Sequence, residues 1–180
     1  MTKILVTGGS GFIGSNFIHY IMKKGNYSVI NLDNLTYAGN EKNNESFINN
    51  PNYSFIRGDI TCYETVRRIF DENKVYFLVN FAAESHVDRS IDNPKAFIET
   101  NIIGTYTLLQ NALLLWNSVS RNKRNKFRFL HISTDEVFGS LGSKGLFSEK
   151  TRYDPSSPYS ASKASSDHLV RSWNRTFGLP

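Results

Sequence analysis

The sequence predicts an α/β fold, a doubly wound parallel sheet with helices on both faces. Three observations predict it. Short apolar runs alternate along the chain with longer stretches of helical periodicity. The short runs are apolar almost throughout, as expected of strands covered on both sides. The first run leads straight into a glycine cluster that opens a helix, the arrangement of a parallel β-α-β unit.

The elements follow in order. Residues 3–7 read as the first strand. Residues 12–24 read as a helix with Phe17, Ile18, Ile21 and Met22 on one face. Residues 28–32 and 53–57 are the second and third strands, and residues 33–52, rich in Asn, Gly and charge, read as a loop beside a ligand. Residues 61–73 form a helix with Val66, Ile69 and Phe70 inward. Residues 76–82 are the fourth strand. Pro94 opens a long helix running to about residue 116, with Asn93 as its cap. Residues 127–132 are the fifth strand. Ser157-Pro158 caps and opens a last helix that ends near Phe177-Gly178. A complete doubly wound sheet of this kind usually has about six strands. Only five are read here, so the expectation is a sheet truncated after the helix that carries Tyr159 and Lys163.

Composition bounds the function. The chain has 180 residues, 39% hydrophobic and 21% charged, enough for one globular unit with a core. Cys62 is the only cysteine, which excludes an intrachain disulfide and fits a reducing compartment. Met1-Thr2-Lys3 runs directly into the first strand, so no secretory leader is expected. No apolar run approaches a membrane span, and a cytoplasmic protein without a membrane partner is expected. The net charge is +5, with much of the excess in residues 121–128. That run invites a nucleic-acid reading. It is short and lies in an expected helix-to-strand connection, so a solvated loop with no nucleic-acid partner is the better expectation.

Residues 7–14, Thr-Gly-Gly-Ser-Gly-Phe-Ile-Gly, hold both G-x-G-x-x-G from Gly9 and G-x-x-G-x-x-G from Gly8. Placed between a strand and a helix, such glycines let the backbone approach a pyrophosphate, and the helix N-terminus supplies free N–H groups and a positive dipole end. The fold is therefore expected to be Rossmann-type, with a dinucleotide at the strand carboxyl ends. Asp33 closes the second strand, where a carboxylate can accept hydrogen bonds from adenine ribose hydroxyls and would repel a 2′-phosphate. NAD is favoured over NADP. Asp59 is a second adenine-side candidate, although Gly-Asp is also turn chemistry.

Chemistry concentrates at three further positions. Residues 84–90, Glu-Ser-His-Val-Asp-Arg-Ser, follow the fourth strand. Residues 133–136, Ser-Thr-Asp-Glu, follow the fifth. Tyr159 and Lys163 share one face of the last helix. A tyrosine acting as a base near neutrality needs its pKa lowered by about three units, or roughly 4 kcal/mol. A nearby ammonium, and the charge of an oxidised nicotinamide, can supply that. Tyr20 and Lys24 match the same spacing but lie at the wrong end of their helix, which makes them ordinary surface. Thr134, Asp135 and Glu136 put a hydroxyl and two carboxylates in one turn, a pairing that can divide acid and base roles in an elimination. A plain acidic loop is the alternative. His19, His86, His131 and His168 show no metal-ligand spacing, so no metal is expected. His131 reads as a satisfied strand residue, and His86 as either a substrate contact or a loop hydrogen bond.

Together these segments resemble the extended short-chain dehydrogenase/reductases over all 180 residues. Within them, residues 82–91 and 133–139 look like the dTDP-glucose 4,6-dehydratases. The Thr134-Asp135-Glu136 triplet is the specific part, since sugar-nucleotide epimerases usually lack the acidic pair. The resemblance implies NAD-assisted oxidation of dTDP-glucose at C4, elimination of water across C5 and C6, and reduction at C6. It implies Tyr159 as the base at O4 helped by Thr134, Glu136 as the base at C5, and Asp135 as the acid at the C6 hydroxyl. Gly8, Gly11, Phe12, Ile13, Gly14, Asp33, Asn34, Leu35 and Thr36 would line the cofactor. So would Asp59, Ile60, Phe81, Ala82, Ala83, Glu84, Ser85 and Thr100, with Tyr159 and Lys163. Ser85, His86 and Thr134 would touch the substrate. The helices from Pro94 and Tyr159 would form the bundle of a homodimer. Members of the family run past 300 residues, and their later segments bind the nucleotide and close over the sugar. This piece alone is therefore expected not to turn over. The competing readings are a sugar-nucleotide 4-epimerase, a non-catalytic nucleotide-binding module and, last, a nucleic-acid binder.

Overall fold

The structure is a computed structural model that describes residues 2–180. Five strands, β1 (Thr2–Thr7), β2 (Tyr27–Asp33), β3 (Tyr53–Arg57), β4 (Phe77–Asn80) and β5 (Arg128–His131), form one sheet in the order β3-β2-β1-β4-β5. Every pairing is parallel. The doubly wound expectation holds, and the order reverses direction between β1 and β4, where ligands bind in such sheets.

Alternation along the strands divides the core in two. Ile4, Val6, Val29 and Val79 face one side and pack on Ile18 and Ile21 of helix α1 (Phe12–Lys24). Leu5, Ile30, Leu32 and Leu78 face the other and meet α2 (Tyr63–Asn73), α5 (Thr105–Ser118) and α7 (Pro158–Phe177). Of the expected α1 face, Ile18 and Ile21 are buried while Phe17 and Met22 pack at the margin. Val66, Ile69 and Phe70 on α2 are all buried, each stabilising the fold by roughly 1.5–3 kcal/mol.

Three differences from the sequence reading concern the loops and the long helix. The loop after β2 contains a 3₁₀ stretch, Glu41–Phe47, anchored where Asn44 donates to the Gly9 carbonyl and Asn43 to that of Ser10. The segment after β4 contains a short helix, α3 (Val87–Asp92). The long helix opens at α4 (Pro94–Phe97), passes through a π-helical stretch, Ile98–Gly104, and continues as α5. Asn93 precedes it but makes no side-chain cap. A π turn leaves no trace in hydrophobic periodicity, and such turns are frequent at functional sites.

The basic run folds as α6 (Arg121–Arg124) and a turn into β5. Arg124 donates to the carbonyls of Asn117 and Val119 and stacks on Trp116, and Arg128 donates to the carbonyl of Asn125. These guanidiniums thus satisfy carbonyls at the end of α5 and in the turn that leads into β5. Among the described residues no helix is long and apolar enough to cross a membrane.

Candidate functional site

A cleft of about 360 Å³ opens at the carboxyl ends of the strands. Its floor is the glycine turn. Gly8 has φ +70°, and a Cβ there would lie 2.5 Å from the Ala82 backbone nitrogen. A Cβ on Gly14 would overlap the Gly8 carbonyl oxygen. Gly11 differs: its Cβ would meet protein atoms only at ordinary contact, 3.4 Å from the Gly8 oxygen, and its bare side faces the cleft. The fold itself requires the first and last glycines, whereas the middle one leaves room for something bound. The first intrahelical bond of α1 runs from Ser15 N–H to Gly11 C=O, and no side chain caps the helix. The amides of Phe12, Ile13 and Gly14 therefore lack intrahelical partners at the cleft wall, where an anion can take them.

Asp33 lines the cleft and is buried. Its carboxylate accepts from the Ser10 and Leu35 amides, both at 2.8 Å, so one oxygen steadies the glycine turn and the other the next loop. Two-lone-pair oxygens retain capacity for a further donor. Asn34 and Thr36 also line the cleft. Leu35, held at φ +55°, is the one expected cofactor residue that does not. Asp59 lines it too, yet its carboxylate is occupied by the Thr61 amide and hydroxyl and by Asn34, the turn chemistry noted above.

The opposite wall carries Phe81, Ala82, Ala83, Glu84, Ser85, Ile60 and Thr100. Thr100 lies on the π turn, and the turn has a second consequence that sequence reasoning missed. Asn101, 2% exposed, accepts from the Glu84 amide and donates to the Glu84 carbonyl and to Ser162 on α7. One buried amide thus fixes the loop after β4 against α7. His86 begins α3, is exposed and does not line the cleft.

Tyr159 and Lys163 project from α7 into the cleft's far end. Helix α7 is well begun: Ser157 and Ser160 form a reciprocal capping box, with Pro158 at the first turn. Thr134 caps a 3₁₀ turn, Asp135–Phe138, by accepting from the Glu136 amide, and its hydroxyl lies close enough to the Tyr159 phenol to act on its ionisation. Asp135 and Glu136 are exposed beside this group.

Electrostatics correct one expectation. Tyr159 is raised, not lowered, from its ordinary value: burial dominates, the Thr134 hydroxyl opposes it, and the charges of Glu136, Asp135 and Asp167 add to the rise. Lys163 makes no resolved contribution at Tyr159. Its ammonium donates to the Ile132 carbonyl at 2.6 Å, and burial brings it down to about 8, with Asp167 opposing.

His131 is the satisfied strand residue that was expected. Its Nδ1 meets the Asn80 amide at 3.1 Å and its Nε2 the Ser166 hydroxyl at 3.1 Å. Burial, then the Lys163 charge, pushes it down to about 3, so its 3.5 Å approach to Asp167 is not an ion pair at neutral pH. The unfolded chain binds this proton near pH 6.5 and the folded chain only near 3. Stability is therefore complete above pH 6.5 and falls as pH drops through that window. His131 alone is expected to cost about 2 kcal/mol between pH 7 and 5. Urea titrations at the two pH values, with a folded His131→Gln chain as the flat reference, measure this.

Comparison with known proteins bears on the same residues. The family model described as GDP-mannose 4,6 dehydratase matches residues 5–180. The dTDP-glucose 4,6-dehydratase of Salmonella typhimurium is 51% identical over 187 residues, covering 99% of this chain and 52% of the relative. That of Xanthomonas campestris pv. campestris is 52% identical over 180 residues, covering 100% and 51%. The chain thus spans about half the length of the curated relatives it matches. Among solved structures, the Streptomyces venezuelae dTDP-glucose 4,6-dehydratase with NAD bound has TM-score 0.89 at 43% identity, over 99% of this chain and 53% of the other. The UDP-glucose 4-epimerase of Thermus thermophilus, in complex with NAD, has TM-score 0.85 at 28% identity, over 99% and 52%.

Proposed function

Since the chain belongs to the GDP-mannose 4,6-dehydratase family, we propose that it is the cofactor-binding and catalytic half of a dTDP-glucose 4,6-dehydratase, a hydro-lyase giving dTDP-4-keto-6-deoxyglucose. The observation that carries this reading is the acidic turn: Asp135 and Glu136 stand beside Thr134 and its partner Tyr159. An oxidation–reduction at C4 alone, as in an epimerase, needs no second acid–base pair, whereas loss of water needs one group to take a proton and another to protonate a leaving hydroxyl.

NAD fits the cleft. Gly11 leaves the floor open, the first amides of α1 are free for a pyrophosphate, and Asp33 can receive ribose hydroxyls while repelling a 2′-phosphate. When bound, NAD would supply reversible hydride acceptance. The chain's own residues do the proton work. Tyr159 takes the O4 proton, with the Thr134 hydroxyl beside it favouring the phenolate. Glu136 removes the C5 proton and Asp135 gives one to the departing C6 oxygen. Burial raises Tyr159, and Lys163, one helical turn away and largely protonated below about pH 8, is directed at the Ile132 carbonyl, so the positive charge of an oxidised nicotinamide would be what favours the phenolate when NAD is bound. Ser85 on the cleft wall and Thr134 are the sugar contacts this placement supports. His86, which is exposed and off the cleft wall, would reach only a sugar extending past it.

Gly11→Ala is expected to leave stability within about 1 kcal/mol yet weaken NAD binding at least about tenfold, because the added methyl occupies ligand space. Gly14→Ala is expected to cost about 1–3 kcal/mol of stability from backbone overlap. Thermal melts and calorimetric NAD titration separate the two.

We also place the protein in the cytoplasm, in keeping with its single cysteine, and as a homodimer. Exposed Ile103 and Leu114 on the long helix support the second proposal, which sedimentation tests. The direct test of function joins residues 1–180 to the C-terminal half of the Salmonella typhimurium relative and incubates the protein with dTDP-glucose and NAD. A product lighter by one water supports the dehydratase. An unchanged mass with inverted stereochemistry replaces it with an epimerase.

A further inference from the structure

We propose that Asp167 is a positioning residue for the Tyr159–Lys163 pair, acting through Ser133 and Tyr153; the catalytic meaning of this role rests on the dehydratase reading. Three consecutive residues after β5 each meet α7. The Ile132 carbonyl accepts from Lys163 at 2.6 Å, the Ser133 hydroxyl donates to Asp167 at 2.5 Å, and the Thr134 side chain stands beside Tyr159. Their partners, residues 159, 163 and 167, stand four apart and so share one helical face. Asp167 is the third tie, and it carries the most load. One carboxylate oxygen accepts from both Ser133 and Tyr153, and the other faces the His131 ring at 3.5 Å.

The consequence is geometric. Beyond the bond from the Ile132 amide to the Asn80 carbonyl, residues 133–136 make no ladder bond to β4 that would set their register. Ser133 immediately precedes Thr134, so the Ser133–Asp167 bond sets where Thr134 meets Tyr159. Tyr153 arrives from the long connection between the 3₁₀ turn and α7, and its bond to the same oxygen pins that connection to the helix. Asp167 is 7% exposed, and the groups around it are all accounted for. They are neutral His131 from β5, Ser133 and Tyr153 from the connections, and Lys163 and Arg171 on its own helix. Asp135, Glu136 and Tyr159 complete the charged surroundings of the site. Asp167 is the carboxylate that opposes the desolvation of Lys163, so the residue that sets the register also favours the ammonium.

NMR on the 180-residue chain tests this without any turnover. The readouts are the Thr134 methyl to Tyr159 ring contact and the titration of the Lys163 ε-methylene. In Asp167→Asn the contact is expected to weaken at least about twofold and the Lys163 midpoint to fall by about one unit from about 8, while Asp167→Glu restores the midpoint. Ser133→Ala removes one surface-accessible hydroxyl. It is expected to weaken the contact and leave the midpoint in place, and it keeps the test alive if Asp167→Asn does not fold. An unchanged contact in Ser133→Ala, or an unchanged midpoint in folded Asp167→Asn, overturns the proposal. Neither readout depends on the substrate, so its failure is distinguishable from failure of the dehydratase reading.

Discussion

Glu136→Gln, in a protein that joins residues 1–180 to the C-terminal half of the Salmonella typhimurium relative, is expected to lower kcat by about 10²–10⁴ with little change in KM. The substitution keeps size and shape and removes only the ability to take a proton. Glu136 is exposed, and its backbone is fixed independently by the bond from its amide to the Thr134 hydroxyl, so the 3₁₀ turn persists. Tyr159 keeps the lowering influence of the neighbouring Thr134 hydroxyl and loses one of the carboxylate charges that raise it. The first oxidation should therefore survive while proton removal at C5 fails. Steady-state kinetics with product mass as readout decide the matter. A kcat within tenfold of the unmodified protein would move the base to another residue.

Lys163→Met is expected to raise stability at pH 7 by about 1–2 kcal/mol while abolishing NAD-dependent turnover. Lys163 is 4% exposed and held to one carbonyl, that of Ile132. Burial brings its pKa from 10.5 to about 8, so the folded state holds the proton less tightly than the unfolded chain. The difference corresponds to roughly 3 kcal/mol of destabilisation at neutral pH. Methionine removes that cost but orphans the Ile132 carbonyl, which returns about 1–2 kcal/mol. The pH dependence separates this from a packing effect. The unmodified chain should gain stability as pH rises from about 8 to 10.5, because the unfolded chain holds the proton across that window, and the methionine chain should gain none. An equal slope in both would show that the charge carries no such cost. A functional group that destabilises its own fold is the usual signature of a site kept for chemistry.

Much of this molecule was legible in the sequence because the relevant forces are local. Burial periodicity placed all five strands and the inward faces of α1 and α2, since a residue's face depends only on its neighbours in the chain. The glycine spacing placed the ligand cleft, because its close approaches involve residues 8 to 14 and the adjoining strand end. The four-residue spacing of Tyr159 and Lys163 put both at the cleft. Asp167, four residues further on, extended that stripe but had no reason to be singled out until Ser133 and Tyr153 were seen against it.

What the tertiary structure decided depends on contacts between distant residues. The π turn exists where Asn101 must reach both Glu84 and Ser162, 17 and 61 positions away. Arg124 and Arg128 found backbone carbonyls that only the folded chain brings beside them. The sign of the Tyr159 shift followed the same logic. Residue types promised a lysine that lowers it, but the fold gives that ammonium a backbone carbonyl and surrounds the phenol with apolar groups and carboxylates. Desolvation depends on everything packed around a group, so the sequence could name the site's residues while only the packed chain set their charges.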